Sequence, residues 1–242
     1  MRLEKASAVS RKELKEIARN KYFVVLMGIF TIVFPVLFGS LHSFFGGPQH
    51  LLQFMFNMDL LMLGLFGACI SGNIATQSFT GEKKSKTLET LLASPISDFE
   101  LFIGKTISTV VPGILCGYFS IIIFLAIVQI RFAYHNLPLP LNLTQAVFII
   151  VLIPFLALMF CGLMVTSSGA FSSLIPWKAV MITIAMITPV AAVLFFLFRS
   201  VFIAGFSLLP AAITLIVLFL MTLVTLYLGA RMFRRENILV VM

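Results

Sequence analysis

Six stretches of this chain are apolar over some twenty or more consecutive residues, approximately 22–41, 54–74, 106–130, 145–167, 178–198 and 207–230. A helix rises 1.5 Å per residue, so about 20 apolar residues cross the roughly 30 Å of a bilayer's hydrocarbon. Six spanning helices are therefore expected, in an all-α integral membrane protein. Composition agrees: 60% of residues are hydrophobic and only 11% charged, too few polar groups to cover a water-facing surface. The first apolar run opens at Tyr22 after a long charged segment, so no cleavable signal peptide is expected. Cys69, Cys116 and Cys161 all fall inside apolar runs. Their odd number argues against a disulfide framework and their spacing matches no metal site.

The formal charge of +8 does not point to nucleic acid, because the charges lie beside and between the apolar runs. With the N-terminus inside, Arg2, Lys5, Arg11, Lys12, Lys15, Arg19 and Lys21 lie on the cytoplasmic side, followed by Lys83, Lys84, Lys86 and Lys105. Lys178, Arg231, Arg234 and Arg235 join them. Of the 17 basic residues only Arg131 and Arg199 fall elsewhere. The positive-inside rule thus expects both termini in the cytoplasm of a multi-pass cell-membrane protein. His42, His50 and His135 all land outside.

The chain reads as one transmembrane domain over 1–242, with an amphipathic lead-in at 1–21, a bundle at 22–230 and a cytoplasmic tail at 231–242. Pro35, Pro112, Pro154, Pro189 and Pro210 lie within or at the edge of spans, where proline kinks a helix. Gly64, Ala68 and Gly72 share one face of the second span, as do Gly113 and Gly117 on the third; such faces let helix backbones approach closely.

Two segments outside the spans are informative. In the first, Ser10 and Glu13 form a capping-box pattern that predicts a helix start. Leu14, Ile17 and Ala18 then form an apolar stripe among Arg11, Lys12, Lys15 and Arg19, as in a helix lying flat on the lipid surface. In the second, Leu88, Leu91 and Leu92 follow helical spacing before Pro95 halts the helix. Ser97 and Glu100 supply another capping box, so a new helix is expected to begin in the cytoplasm and run into the third span. Three leucines on a short helix outside the membrane need an apolar partner.

This second segment resembles the coupling region of the ATP-binding-cassette type-2 exporter permeases. That family shows a Glu, then Gly-Thr-Leu-Glu, two leucines, Ser/Thr-Pro-Ile-Ser and Gly-Lys. Here stand Glu82, Thr87-Leu88-Glu89, Leu91-Leu92, Ser94-Pro95-Ile96-Ser97 and Gly104-Lys105, with Lys86 where glycine is usual. Lys12-Glu13-Leu14-Lys15 with Arg19 is similar to the helix that leads into the family's first span, and Arg231-Met232-Phe233-Arg234-Arg235-Glu236 to its usual ending. The resemblance implies a translocation path formed by two permeases, either two copies or two related chains. It also implies a separate cytoplasmic ATPase, which binds ATP and Mg and is coupled through Glu82, Thr87, Leu88, Glu89, Leu91, Leu92 and Pro95.

No enzyme chemistry is legible in the chain itself. Gly104-Lys105-Thr106 lacks the second glycine of a phosphate-binding loop, whose place is taken by Phe99. Gly205-Phe206-Ser207 lacks the closing glycine of a serine-hydrolase elbow. Asn142-Leu143-Thr144 is a formal outward-facing glycosylation sequon. Asp59 is the one acidic residue inside a predicted span. It fits either the translocation path or the outer interface, since a mid-bilayer carboxylate costs about 2.5–3.5 kcal/mol and less near the surface. The alternative to an ATP-driven exporter is a stand-alone carrier or channel. Such carriers usually show central ionisable groups and internal repeats, and the two cytoplasmic hairpins of this chain are unlike each other.

Overall fold

The computed structural model describes residues 3–44, 49–84, 97–134, 141–170 and 208–232, and among these every regular element is helical. Helix α1 spans Leu3–Arg19 and α2 spans Lys21–Gly28. A π-helical turn, Ile29–Val33, leads into α3, Phe34–Phe44. Four long helices follow: α4 at Gln49–Lys84, α5 at Asp98–Tyr134, α6 at Leu143–Ala170 and α7 at Leu208–Met232. Five stretches are long and apolar enough to cross a membrane: Lys21–Leu41, Leu52–Ser78, Phe99–Ile130, Leu143–Thr166 and Ala211–Arg231. The remaining expected span, 178–198, lies outside the described residues.

Asn20 separates α1 from the first span. Its extended backbone (φ −81°, ψ 106°) leaves the helical region, and its side-chain oxygen accepts from the Tyr22 N–H at 3.1 Å. This is ordinary N-cap behaviour for asparagine. The π turn follows from Pro35, which has no N–H to give to the Thr31 carbonyl. The Phe34 N–H bonds instead to the Ile29 carbonyl, five residues back. Pro112 and Pro154 lie inside α5 and α6.

Helices α4 and α6 are central, with 56% of their most apolar stretches buried inside the protein against 11% for the first span. Two different faces of α4 explain this. Gly64, Ala68 and Gly72 turn to α6: a side chain added at Gly64 would meet Ile153 and one at Gly72 would meet Met164, while Ala68 packs with Leu152, Leu156 and Met159. Gly67 and Ser71 turn to α5. A Cβ at Gly67 would stand 2.7 Å from the Gly113 carbonyl oxygen and 2.9 Å from the Gly117 Cα, so only glycine permits this crossing. Both small faces lie at close helix contacts, but they do not meet each other: Gly113 and Gly117 pack on Gly67, which the sequence does not single out.

The first span is held by aromatic rings. Phe34 lies 4.6 Å, ring centre to ring centre, from Phe66 of α4, flanked by Phe30 and Phe38. Large apolar side chains cover much of the outside: Ile107, Val111, Leu115, Phe119 and Ile122 on α5, and Ile216, Leu220, Leu223 and Tyr227 on α7, are all exposed. A water-soluble bundle would bury such rows, whereas lipid-facing helices present them.

Candidate functional site

Residues 85–96 fall between the end of α4 and the start of α5, and these two helices meet a third, α1, through buried charge. Ser97 caps α5. Its Oγ accepts from the Glu100 N–H at 3.2 Å, and the Glu100 carboxylate accepts from the Ser97 N–H at 3.3 Å. The capping box expected from sequence is therefore present, and α5 runs unbroken from this cap into the third span.

Lys105 stands seven residues into α5 with its side chain 0% exposed. Its Nζ lies 3.7 Å from Glu13 Oε1 of α1 and donates to the Ser78 carbonyl oxygen of α4 at 3.2 Å. The Ser78 hydroxyl in turn donates to Glu13 Oε2 at 2.7 Å. Glu13 is itself 8% exposed, so both of its carboxylate oxygens are engaged inside the protein. Three helices thus share one closed polar contact. Removing one member of a buried ion pair leaves an uncompensated charge and costs about 3–5 kcal/mol, so the contact fixes α1 and the two helix ends relative to one another.

Beside this contact the polar residues of α5 satisfy themselves. Thr106, Ser108 and Thr109 donate to the carbonyls of Phe102, Lys105 and Thr106, the back-bonding that lets hydroxyls sit inside a helix. Thr109 Oγ1 also lies 3.2 Å from Cys161 Sγ of α6. Leu101, Phe102 and Val110 of α5 pack with Ala75, Ala157, Cys161 and Val165. A second buried polar bridge lies at the opposite end of the bundle. The Gln145 amide, fully buried on α6, donates to Asn57 Oδ1 of α4 at 2.9 Å, and its carbonyl accepts from the Asn142 N–H at 2.7 Å. Asn142 of the formal sequon is thereby drawn into the start of α6.

Of the residues expected to couple to an ATPase, Glu82 falls in the last turn of α4. Thr87, Leu88, Glu89, Leu91, Leu92 and Pro95 lie outside the described residues. Asp59 is half-buried on α4, two residues past Asn57 and at the end of the bundle away from Lys105.

Glu13 corrects one expectation. Ser10 does not start a helix: α1 begins at Leu3, and the Ser10 hydroxyl donates to the Ser7 carbonyl within it at 3.3 Å. Nothing between Leu3 and Ser10 breaks a helix, so a capping pattern without a breaker upstream was insufficient. Glu13 serves the Ser78–Lys105 contact instead. The buried row of α1 is Ser10, Glu13 and Ile17, whereas Ala18 is exposed. The signal that could have singled out these residues is an acid beside the apolar stripe of α1 and a lysine at the edge of an apolar run, although neither says that the two meet.

The sequence profile of the ABC-2 family transporter proteins matches residues 11–176. The chain belongs to that family. The matched segment holds Glu13, Ser78, Lys105 and the whole 82–105 pattern. Family membership and the apolar helices together make this ABC-2 chain a multi-pass membrane protein and the membrane part of an ATP-binding-cassette transporter. No curated protein matched the chain.

Proposed function

We propose that the chain is the permease subunit of an ATP-driven exporter in the cell membrane, with both termini in the cytoplasm. Two permeases, identical or related, line the translocation path, and each docks one separate ATPase. The chain performs no hydrolysis of its own; the ATPase binds ATP and Mg. The coupling segment expected from sequence, carrying Leu88, Leu91 and Leu92, enters an apolar groove on that ATPase, with Glu89 orienting the contact.

The observation that carries this reading is the Glu13–Ser78–Lys105 contact, which joins the two helices flanking residues 85–96 to α1. A segment that transmits force has to be anchored in helices that move as a unit, and a buried ion pair shared by three helices supplies such an anchor. ABC-2 membrane proteins generally work with ATPase subunits, which agrees with the helical spacing of Leu88, Leu91 and Leu92 in the sequence. Orientation rests on the basic residues, which gather at the α1 end.

A single cysteine at Leu91 tests the docking. In membranes containing the chain alone it is expected to react with a maleimide that reaches the cytoplasm, and adding the candidate ATPase is expected to protect it. Equal labelling with and without the ATPase would contradict the proposal.

A further inference from the structure

The charge of α1 is segregated more sharply than an interfacial helix requires. Ser10, Glu13 and Ile17 form its buried row, and Ile17 clusters with Phe23, Ile70 and Ile74 of the bundle. Arg11, Lys15 and Arg19, spaced by four, form an exposed row on the far side. Lys12 lies beside them but 3.8 Å from Glu16, so the net charge of this face rests on the other three. Of the stripe expected to enter lipid, Ile17 is buried in the protein, Leu14 half-buried and Ala18 exposed, and the face opposite the buried row is basic.

The place of this row is fixed by the chain. Asn20 alone separates α1 from the first span, which opens at Lys21. On its inner side α1 meets Ser78 of α4 and Lys105 of α5. Helix α4 continues to Lys84 and α5 begins back at Asp98, so both run on about 10 Å past these contacts at 1.5 Å per residue. Helix α1 therefore lies against the flank of the bundle, at the level where a span begins, and not beneath its end. Its far face is directed away from α4 and α5, next to the start of the first span.

We propose that Arg11, Lys15 and Arg19 form a binding surface for the headgroups of anionic phospholipids, holding an acidic lipid shell against α1. Each basic residue near an anionic surface strengthens association about fivefold, and salt screens the attraction. Charge complementarity and position favour lipid over an acidic protein, because a soluble partner would have to reach sideways into the headgroup layer.

The test uses the full chain in phosphatidylcholine nanodiscs, with a fluorophore on Ala8→Cys, which lies on the same exposed face. Nitroxide-labelled phosphatidylglycerol and nitroxide-labelled phosphatidylcholine are compared as quenchers. Phosphatidylglycerol is expected to be strongly enriched beside the label at low salt, and the enrichment to vanish at high salt. Arg11→Gln/Lys15→Gln/Arg19→Gln should weaken the preference at least about fivefold, the share of a single charge, while Arg11→Lys/Arg19→Lys keeps it. The substituted side chains are exposed, so an unchanged melting temperature is expected for both variants. Equal quenching by the two lipids, or an undiminished preference in the triple glutamine variant, would overturn the proposal. So would displacement of phosphatidylglycerol by an added ATPase that the triple variant no longer binds. The comparison of the two quenchers itself contains no ATPase and no cargo, so its outcome is independent of whether residues 85–96 dock one.

Discussion

Glu13 of α1 and Lys105 of α5 face each other at 3.7 Å, both withdrawn from solvent, with Ser78 of α4 bonded to each. The pair ties the N-terminal helix to the two helices that flank the leucine-bearing residues 85–96 in the chain. Its energetic weight follows from burial. An exposed pair of this kind contributes about 0–1 kcal/mol, whereas breaking a buried one leaves a stranded charge.

Glu13→Gln and Lys105→Met should each destabilise the chain by about 3–5 kcal/mol, read as a lowered melting temperature in detergent. The double variant should lie closer to the unaltered chain than either single one, because no charge is left unpaired. Additive losses would show that the two residues do not act as a pair.

Gly113 supplies a packing test. A Cβ there would collide with the Ser71 hydroxyl and lie 2.6 Å from the Gly67 carbonyl oxygen, whereas one at Gly28 meets nothing within 4 Å. Gly113→Ala should therefore cost about 1–3 kcal/mol through forced separation of α4 and α5. Gly28→Ala should be neutral or stabilise by up to about 1 kcal/mol, since alanine favours the helix. Thermal unfolding of both variants in one detergent checks the contrast.

How much of this was legible in the sequence depended on range. The apolar runs and the Ser97–Glu100 cap are local features. The cap was readable because Pro95 denies any helix a path through from α4. Ser10 and Glu13 offer the same pattern with no breaker upstream, and there the helix simply starts earlier. Proline at 35 signalled a disturbance, but its form, a π turn at Ile29–Val33, depends on which carbonyl the Phe34 N–H finds. The Glu13–Lys105 contact joins residues from distant parts of the chain, and no periodicity encodes which acid meets which lysine. Gln145 and Asn57 escaped notice for the same reason: each looks like an ordinary polar residue near a span end, and only the packing of α6 on α4 turns them into a bridge.

Topology is open to direct labelling. Cysteines at Ala8, Ser85 and Asn237 should react only with reagents that reach the cytoplasm, and those at Gly47 and Asn136 only from outside. Ala8 is chosen because its face of α1 is exposed while Ser10 is buried. Outside labelling at position 85 would reverse the orientation and remove residues 85–96 from any cytoplasmic ATPase.

Asp59 sits half-buried inside the Leu52–Ser78 span. Asp59→Asn keeps its shape and removes its charge. Reduced transport by a fully assembled complex is the expected outcome if the acid faces the route; undiminished transport would assign it to the outer interface.

The most direct test of ATPase coupling is made at Leu91. Burying one leucine contributes roughly 1.5–3 kcal/mol, so Leu88, Leu91 and Leu92 together suffice for a modest protein contact, and an arginine among them would carry a charge into apolar surface. Leu91→Arg touches no span and should insert normally. Purified together with the candidate ATPase, the variant is predicted to lose that subunit and to lose transport, while the unaltered chain retains both and, purified alone, hydrolyses no ATP. Full retention of the ATPase with normal transport would contradict the coupling assignment and favour a stand-alone carrier.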